Sequence, residues 1–125
     1  IKKKVFKNII NTENDLCFAE NEIDMNGPAV VSFAMRDVIP DIKNLSKNID
    51  CIFSHQAGKI VMSQIQKKID TNIFFPLNFA NHGNLVSTSI PLLIKQNMKK
   101  FKTKKKILIC GFGVGLSASI ILFNR

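Results

Sequence analysis

Lys106-Ile107-Leu108-Ile109-Cys110-Gly111-Phe112-Gly113-Val114-Gly115-Leu116-Ser117-Ala118-Ser119-Ile120-Ile121-Leu122-Phe123 is the stretch on which the fold turns. From Ile107 to Phe123 it holds 17 consecutive residues without a charge, between Lys104–Lys106 and Arg125. That is the lower edge of what a helix needs to cross a bilayer. Gly111 and Gly115 even have the spacing of a membrane-helix contact. Against this, the run breaks at its centre into Gly-Phe-Gly-Val-Gly, with Ser117 and Ser119 following. Glycine is costly inside a helix and enters tight turns freely. Two buried strands, Lys106–Cys110 and Ser119–Phe123, joined by a glycine-rich turn, accommodate these residues with less strain. A continuous helix over 107–123 would overturn this expectation.

Upstream, Ile49–Ser54 is a short apolar run of the kind buried on both faces of a sheet. It leads into an amphipathic helical pattern over Ala57–Ile69, with Ile60, Val61, Ile65 and Ile69 expected inward and Lys59, Lys67 and Lys68 outward. Lys4–Ile10 and Leu16–Ile23 read as strands across the turn-rich Asn11-Thr12-Glu13-Asn14-Asp15. Asn26-Gly27-Pro28 starts a helix over Gly27–Val38, with Asn26 as cap and Pro28 in the first turn. Pro40 should break or kink it, and Ile42 and Leu45 continue its apolar face. Phe74–Phe79 is a further apolar stretch interrupted by Pro76, and Ser87–Met98 is the next helix, with Pro91 near its start. The expected architecture is α/β: a mixed five-stranded sheet layered with helices.

At 125 residues, 46% of them hydrophobic, the chain is one domain or part of one and can hold a core. It opens on Ile1 and not Met, so a preceding segment is expected. Net charge is +9, with lysines gathered at Ile1–Lys7 and Met98–Lys106. Such a balance favours acidic partners: nucleic acid, an anionic membrane or an acidic carrier protein. It equally describes solvated loop ends. The 10 Phe residues do not interleave with the basic runs, and Trp and Tyr are absent, so a single-strand nucleic-acid platform is not indicated. Cys17, Cys51 and Cys110 are widely spaced without a CxxC, which indicates neither a metal site nor a disulfide framework. Buried, reduced thiols and no visible secretory signal point to the cytoplasm.

The chemistry gathers in His55-Gln56-Ala57 and His82-Gly83-Asn84. His55 follows a strand and opens a helical pattern, where ligands sit in open α/β sheets. Asn84 stands before the helix through Ser87-Thr88-Ser89-Ile90-Pro91. A His and an Asn placed so can donate two hydrogen bonds to one oxygen, the arrangement that stabilises an enolate or oxyanion. Backbone N–H groups of Gly111–Gly115 could reach the same place. The bland alternatives are a satisfied buried imidazole for His55, a turn or capping residue for Asn84, and a simple hairpin turn for the glycines. His82 has no motif support and is expected in a loop.

These pieces carry a resemblance. His55-Gln56-Ala57, Gly83-Asn84 with Ser87-Thr88-Ser89-Ile90-Pro91-Leu92, and Gly111-Phe112-Gly113-Val114-Gly115-Leu116-Ser117 resemble, in order and spacing, the C-terminal half of a β-ketoacyl-acyl-carrier-protein synthase III. Met25-Asn26-Gly27-Pro28-Ala29-Val30 and Phe33-Ala34 are similar to the segment that opens that half. The resemblance implies a thiolase-like fold of two related halves, with the catalytic Cys in the other half. None of the three cysteines here has a matching context. It also implies decarboxylative condensation of an acyl thioester, supplied by acyl coenzyme A, with malonyl-acyl carrier protein, without a bound cofactor. His55 and Asn84 would donate to the malonyl thioester oxygen, and backbone around Gly113, Val114 and Gly115 would serve the acyl-thioester oxygen. The implied partners are acyl carrier protein, with Lys59 beside its docking position, the chain's own N-terminal half, and a second copy in a homodimer. Neither nucleic acid nor a membrane span is implied. Three departures stand out: Leu85-Val86 where the family has Thr-Ser, Gly58 where it has Asn, and Ile60 where some members carry a docking Arg. A structural or membrane-associated module without catalysis is the competing class.

Overall fold

The computed structural model describes residues 3–10, 16–19 and 22–125. Strands β1 (Lys3–Ile10), β4 (Cys51–Ser54), β5 (Lys106–Gly113) and β6 (Ser117–Asn124) form one sheet in the order β1-β6-β5-β4. β1 and β5 both run antiparallel to β6, and β4 runs parallel to β5, so the sheet is mixed. Its described strands number four, not the five expected. Leu16–Ile23 is not one strand but part of a separate hairpin, β2 (Leu16–Ala19) against β3 (Glu22–Met25). The expected turn at residues 11–15 lies outside the described residues.

Ile107–Phe123 is a hairpin, as its glycines require. β5 and β6 pair from Lys106↔Asn124 to Gly113↔Ser117 around Val114-Gly115-Leu116. The strands run longer than expected because Gly111–Gly113 stay extended. Gly115 makes the turn at φ +127°, a conformation that side chains disfavour. No helix among the described residues is long and apolar enough to cross a membrane.

Alternation along β4 and β5 sends side chains to opposite faces. Ile52, Leu108, Cys110 and Phe112 join one core with α1 (Gly27–Phe33), α2 (Ile39–Leu45) and α3 (Lys59–Lys68), through Phe33, Ile42, Val61, Met62 and Ile65. Cys51, Phe53 and Ile107 join a second core with Leu93 of α5 (Ser89–Gln96) and Phe101 of α6 (Met98–Thr103). Helices therefore cover both faces of β4 and β5, which explains the uninterrupted apolar character of Cys51-Ile52-Phe53.

Asn26 caps α1, its Oδ1 accepting the Ala29 N–H at 3.2 Å. Pro40 does not end the helical path. A π-turn over Ala34–Val38 precedes it, in which the Ile39 N–H reaches back to the Ala34 carbonyl. A proline ring crowds the carbonyl four residues earlier, and the wider turn gives that carbonyl room while the chain stays helical into α2. The expected helix Ser87–Met98 is a 3₁₀ turn (Val86–Thr88), then α5, then a break at Asn97 before α6.

One carboxylate fixes how β4 starts beside β5. Asp50 Oδ2 accepts the N–H groups of Lys105 and Lys106 at 3.0 and 2.9 Å. These bonds, the Lys106 N–H first, hold its carboxyl below the usual carboxylate range against some desolvation.

Candidate active site

β4 delivers His55. The strand is buried along its length, and just past its end the His55 N–H still donates to the Cys110 carbonyl at 2.8 Å. Because β4 and β5 run parallel, His55 and the turn at Gly113–Gly115 leave the sheet at the same, carboxyl end. Gly58 then redirects the chain into α3 at φ +132°, ψ 171°, a conformation essentially reserved for glycine. The Gly at this position is therefore matched to the local backbone.

The His55 ring is 9% exposed and stands edge-on to Phe112, centroids 5.3 Å apart at 88°. Its Nδ1 lies 2.8 Å from Ser89 Oγ, and Ser89 Oγ lies 2.8 Å from the Val86 carbonyl oxygen. Burial lowers the His55 pKa, and a hydrogen bond with the Val86 backbone opposes that in part. The imidazole is accordingly neutral at neutral pH.

Asn84 is exposed, and its Oδ1 accepts the Val86 N–H at 2.9 Å. That bond occupies the amide oxygen and leaves the Nδ2 hydrogens as the outward donors. No direct hydrogen bond joins His55 to Asn84 among the described residues; they are linked through Ser89 and Val86. Val86 sits at φ +49°, uncommon for a β-branched residue. Val86 contributes both its backbone N–H and its carbonyl to this link.

The turn Gly113-Val114-Gly115 is partly to fully exposed, and Ser117 Oγ donates to the Val114 carbonyl at 2.7 Å. A Cβ at Gly113 would meet no atom within 4 Å, so its surroundings are open. Lys59 is exposed in the first turn of α3, and Ile60 beside it is 64% exposed, not inward as expected, while Val61, Ile65 and Ile69 are buried. His82 is not in a loop: it ends a one-turn helix, α4 (Phe79–His82), with Nε2 3.0 Å from Gln96 Nε2.

The sequence signalled neither Ser89 nor the supporting role of Gln56. Gln56 is fully buried: its Nε2 donates to the Ser54 carbonyl and its Oε1 accepts the Asn78 N–H, each at 3.0 Å. Asn78 Nδ2 in turn donates to Gln96 Oε1 at 3.0 Å. A long amide directly after a buried strand was the available hint, since such a group is kept only where it can be satisfied. Ser89 was legible only as part of a helix start.

Cys51 and Cys110 are buried, their thiols pushed up to about 11 and about 12 chiefly by desolvation. Neither is a thiolate at neutral pH. Among the described residues no cluster of His, Cys, Asp or Glu could hold a metal. A cleft of about 670 Å³ lies at the opposite end of β4, around Asp50, Lys47 and Lys104, away from His55.

The family model described as 3-oxoacyl-[acyl-carrier-protein] synthase III C terminal matches residues 43–125. The β-ketoacyl-[acyl-carrier-protein] synthase III of Streptococcus gordonii is 34% identical over 118 residues, covering 85% of this chain and 35% of that protein. The enzyme of the same name from Streptococcus pyogenes serotype M5 is 35% identical over 107 residues, covering 76% and 33%. The chain thus spans about a third of the length of the curated relatives it matches. Solved structures with the same fold include a 3-oxoacyl-(acyl carrier protein) synthase III from Pseudomonas aeruginosa, with TM-score 0.79, 18% identity and coverage of 95% of this chain and 43% of that one. A priming β-ketosynthase of the R1128 polyketide pathway has TM-score 0.83 at 16% identity, covering 95% and 43%.

Proposed function

The chain belongs to the 3-oxoacyl-[acyl-carrier-protein] synthase III family, and from that premise we propose that it forms the C-terminal part of a condensing enzyme that joins an acyl thioester to a malonyl thioester. The observation that carries this reading is the polar chain His55–Ser89–Val86–Asn84 beyond the carboxyl end of β4. In the proposed reaction a Cys outside this chain takes the acyl group from acyl coenzyme A. The malonyl group, held on acyl carrier protein, loses carbon dioxide. The electron pair of the broken C–C bond moves into the thioester, whose oxygen becomes an enolate. His55 and Asn84 Nδ2 donate hydrogen bonds to that oxygen. The enolate carbon then attacks the acyl-Cys carbonyl, whose developing charge takes a backbone N–H from the Gly113–Gly115 turn, and the Cys thiolate leaves.

The reading includes a cytoplasmic enzyme that works as a homodimer. The acidic carrier protein docks near Lys59 at the start of α3, where Ile60 supplies an exposed apolar neighbour.

The test separates the two half-reactions in the full-length protein. Single-turnover acylation is followed with radiolabelled acyl coenzyme A, and decarboxylation by carbon dioxide release from the malonyl thioester. His55→Ala should slow decarboxylation by roughly 10²–10³-fold, the cost of one oxyanion donor, and leave acylation intact. Equal slowing of both steps would remove the role given to His55.

A further inference from the structure

A buried amide joins the two segments that carry the proposed donors; this inference rests on the reading of His55 and Asn84 as donors to one oxygen. Asn84 is the second residue beyond α4, and α4 is only four residues long with no buried side chain. Helices this short do not hold themselves in water. The His82 N–H reaches the Asn78 carbonyl at 3.1 Å and the Gly83 N–H reaches the Phe79 carbonyl at 2.8 Å. These bonds close the turn without orienting it. Phe79, half-buried against the core, gives it one apolar anchor. Its direction must be fixed by something else.

Side-chain amides supply that. Gln56 follows His55 directly and is fully buried. Its Nε2 donates to the carbonyl of Ser54, the residue before His55, and its Oε1 accepts the Asn78 N–H. A backbone carbonyl needs a donor and a backbone N–H needs an acceptor, and one amide offers both. Farther out, Asn78 Nδ2 donates to Gln96 Oε1, and Gln96 Nε2 lies 3.0 Å from His82 Nε2. Asn78 precedes the turn and His82 ends it, so α4 is tied at both ends: to β4 through Gln56 and to α5 through Gln96. The Gln96–His82 contact is exposed and competes with water, whereas both Gln56 bonds are buried. We propose that Gln56 is a positioning residue whose amide sets the place of α4, and so of Asn84, relative to His55. Losing the amide strands a buried donor at Asn78 and a buried acceptor at Ser54, and the turn then shifts to satisfy them.

The experiment compares Gln56→Met with the wild type in the full-length protein, by amide hydrogen exchange and by kinetics. The amides of His82, Gly83 and Val86 should lose protection in Gln56→Met, while those of β5 and β6 keep theirs. Decarboxylation of the malonyl thioester should slow in kcat roughly 10-fold to 10²-fold, the cost of a small misplacement of a reacting group, with acylation unchanged. If Gln56 acts through Asn84, the two substitutions are not additive: Gln56→Met should slow the Asn84→Ala protein no further. Gln56→Glu keeps the shape. While its carboxyl is protonated, the form that burial favours, it donates to Ser54 and accepts from Asn78; once ionised it only accepts. It should match the wild type at pH 6 and fall behind it in protection and decarboxylation as pH rises, and it carries the test alone if Gln56→Met does not fold. Unchanged exchange at residues 82, 83 and 86, or equal slowing by Gln56→Met with and without Asn84, would overturn the proposal. If no form of the protein decarboxylates a malonyl thioester, the condensing reaction fails while the exchange data still decide the role of Gln56.

Discussion

His55 is buried beside an aromatic ring with no charged group in its hydrogen bonds, and that has a consequence for stability. Its folded pKa is lowered, by desolvation first, from an ordinary value near 6.5. Below that value the unfolded chain binds a proton that the folded one resists, so stability falls as pH drops. The contribution is whole above the unfolded pKa and is lost as pH falls through it toward the folded value. Urea midpoints at pH 7.5 and 5.5 should therefore differ more in the wild type than in His55→Gln; identical differences would contradict the burial argument. The cysteines give a second expectation. With thiols at about 11 and about 12, Cys51 and Cys110 should resist alkylation by iodoacetamide in the folded protein and react on unfolding, as peptide mapping would report. Rapid labelling of either in the native state would reopen its candidacy as a nucleophile.

At the scale of elements, the site depends on two backbone turns with positive φ, one at a glycine and one at a β-branched residue. Gly58 bends the chain between His55 and α3 at φ +132° in open space. Gly58→Ala adds no clash, so its whole cost is conformational: about 1–3 kcal/mol, read as a lowered urea midpoint. Val86 presents the opposite case. It holds φ +49° with an exposed, β-branched side chain, and Val86→Gly should raise the midpoint by relieving that strain. A destabilised Val86→Gly would mean that the side chain contributes more than its backbone costs. The buried amide of Gln56 ties the residues after β4 to Asn78, so the loop that carries His55 is braced by side chains as well as by strand pairing.

At the scale of the whole molecule, both faces of β4 and β5 are filled by helices, while the residues proposed for catalysis gather at one end of those strands. In the reading offered above, that end meets a surface outside the chain that carries the nucleophile. The 125 residues alone should accordingly release no carbon dioxide from a malonyl thioester in the presence of acyl coenzyme A and form no condensed product. Condensation by the isolated chain would defeat the two-part reading of the site, because neither described thiol is ionised or exposed. The lysine-rich runs fall in α6, in the residues leading into β5 and at the start of the chain. The apolar run between Lys106 and Arg125 is a hairpin and gives the membrane alternative no support.

What the sequence determined by itself was set by local chemistry. Gly111–Gly115 cannot sit easily in a helix, so Ile107–Phe123 had to fold back as two strands. The strand-to-helix passage through His55, the cap at Asn26 and the family relationship were legible for the same reason: each is carried by neighbouring residues. What needed the tertiary structure was every feature decided by a distant partner. Leu16–Ile23 has a continuous β pattern, and only strand pairing splits it into two arms of a hairpin. Pro40 forbids a regular helix locally, yet packing on the sheet keeps the path helical through a π-turn. Ser89 lies 34 residues from His55 and Gln56 lies 22 from Asn78. A polar side chain does not reveal its partner until the fold removes water from both, and the cost of leaving either unpaired then makes the contact specific.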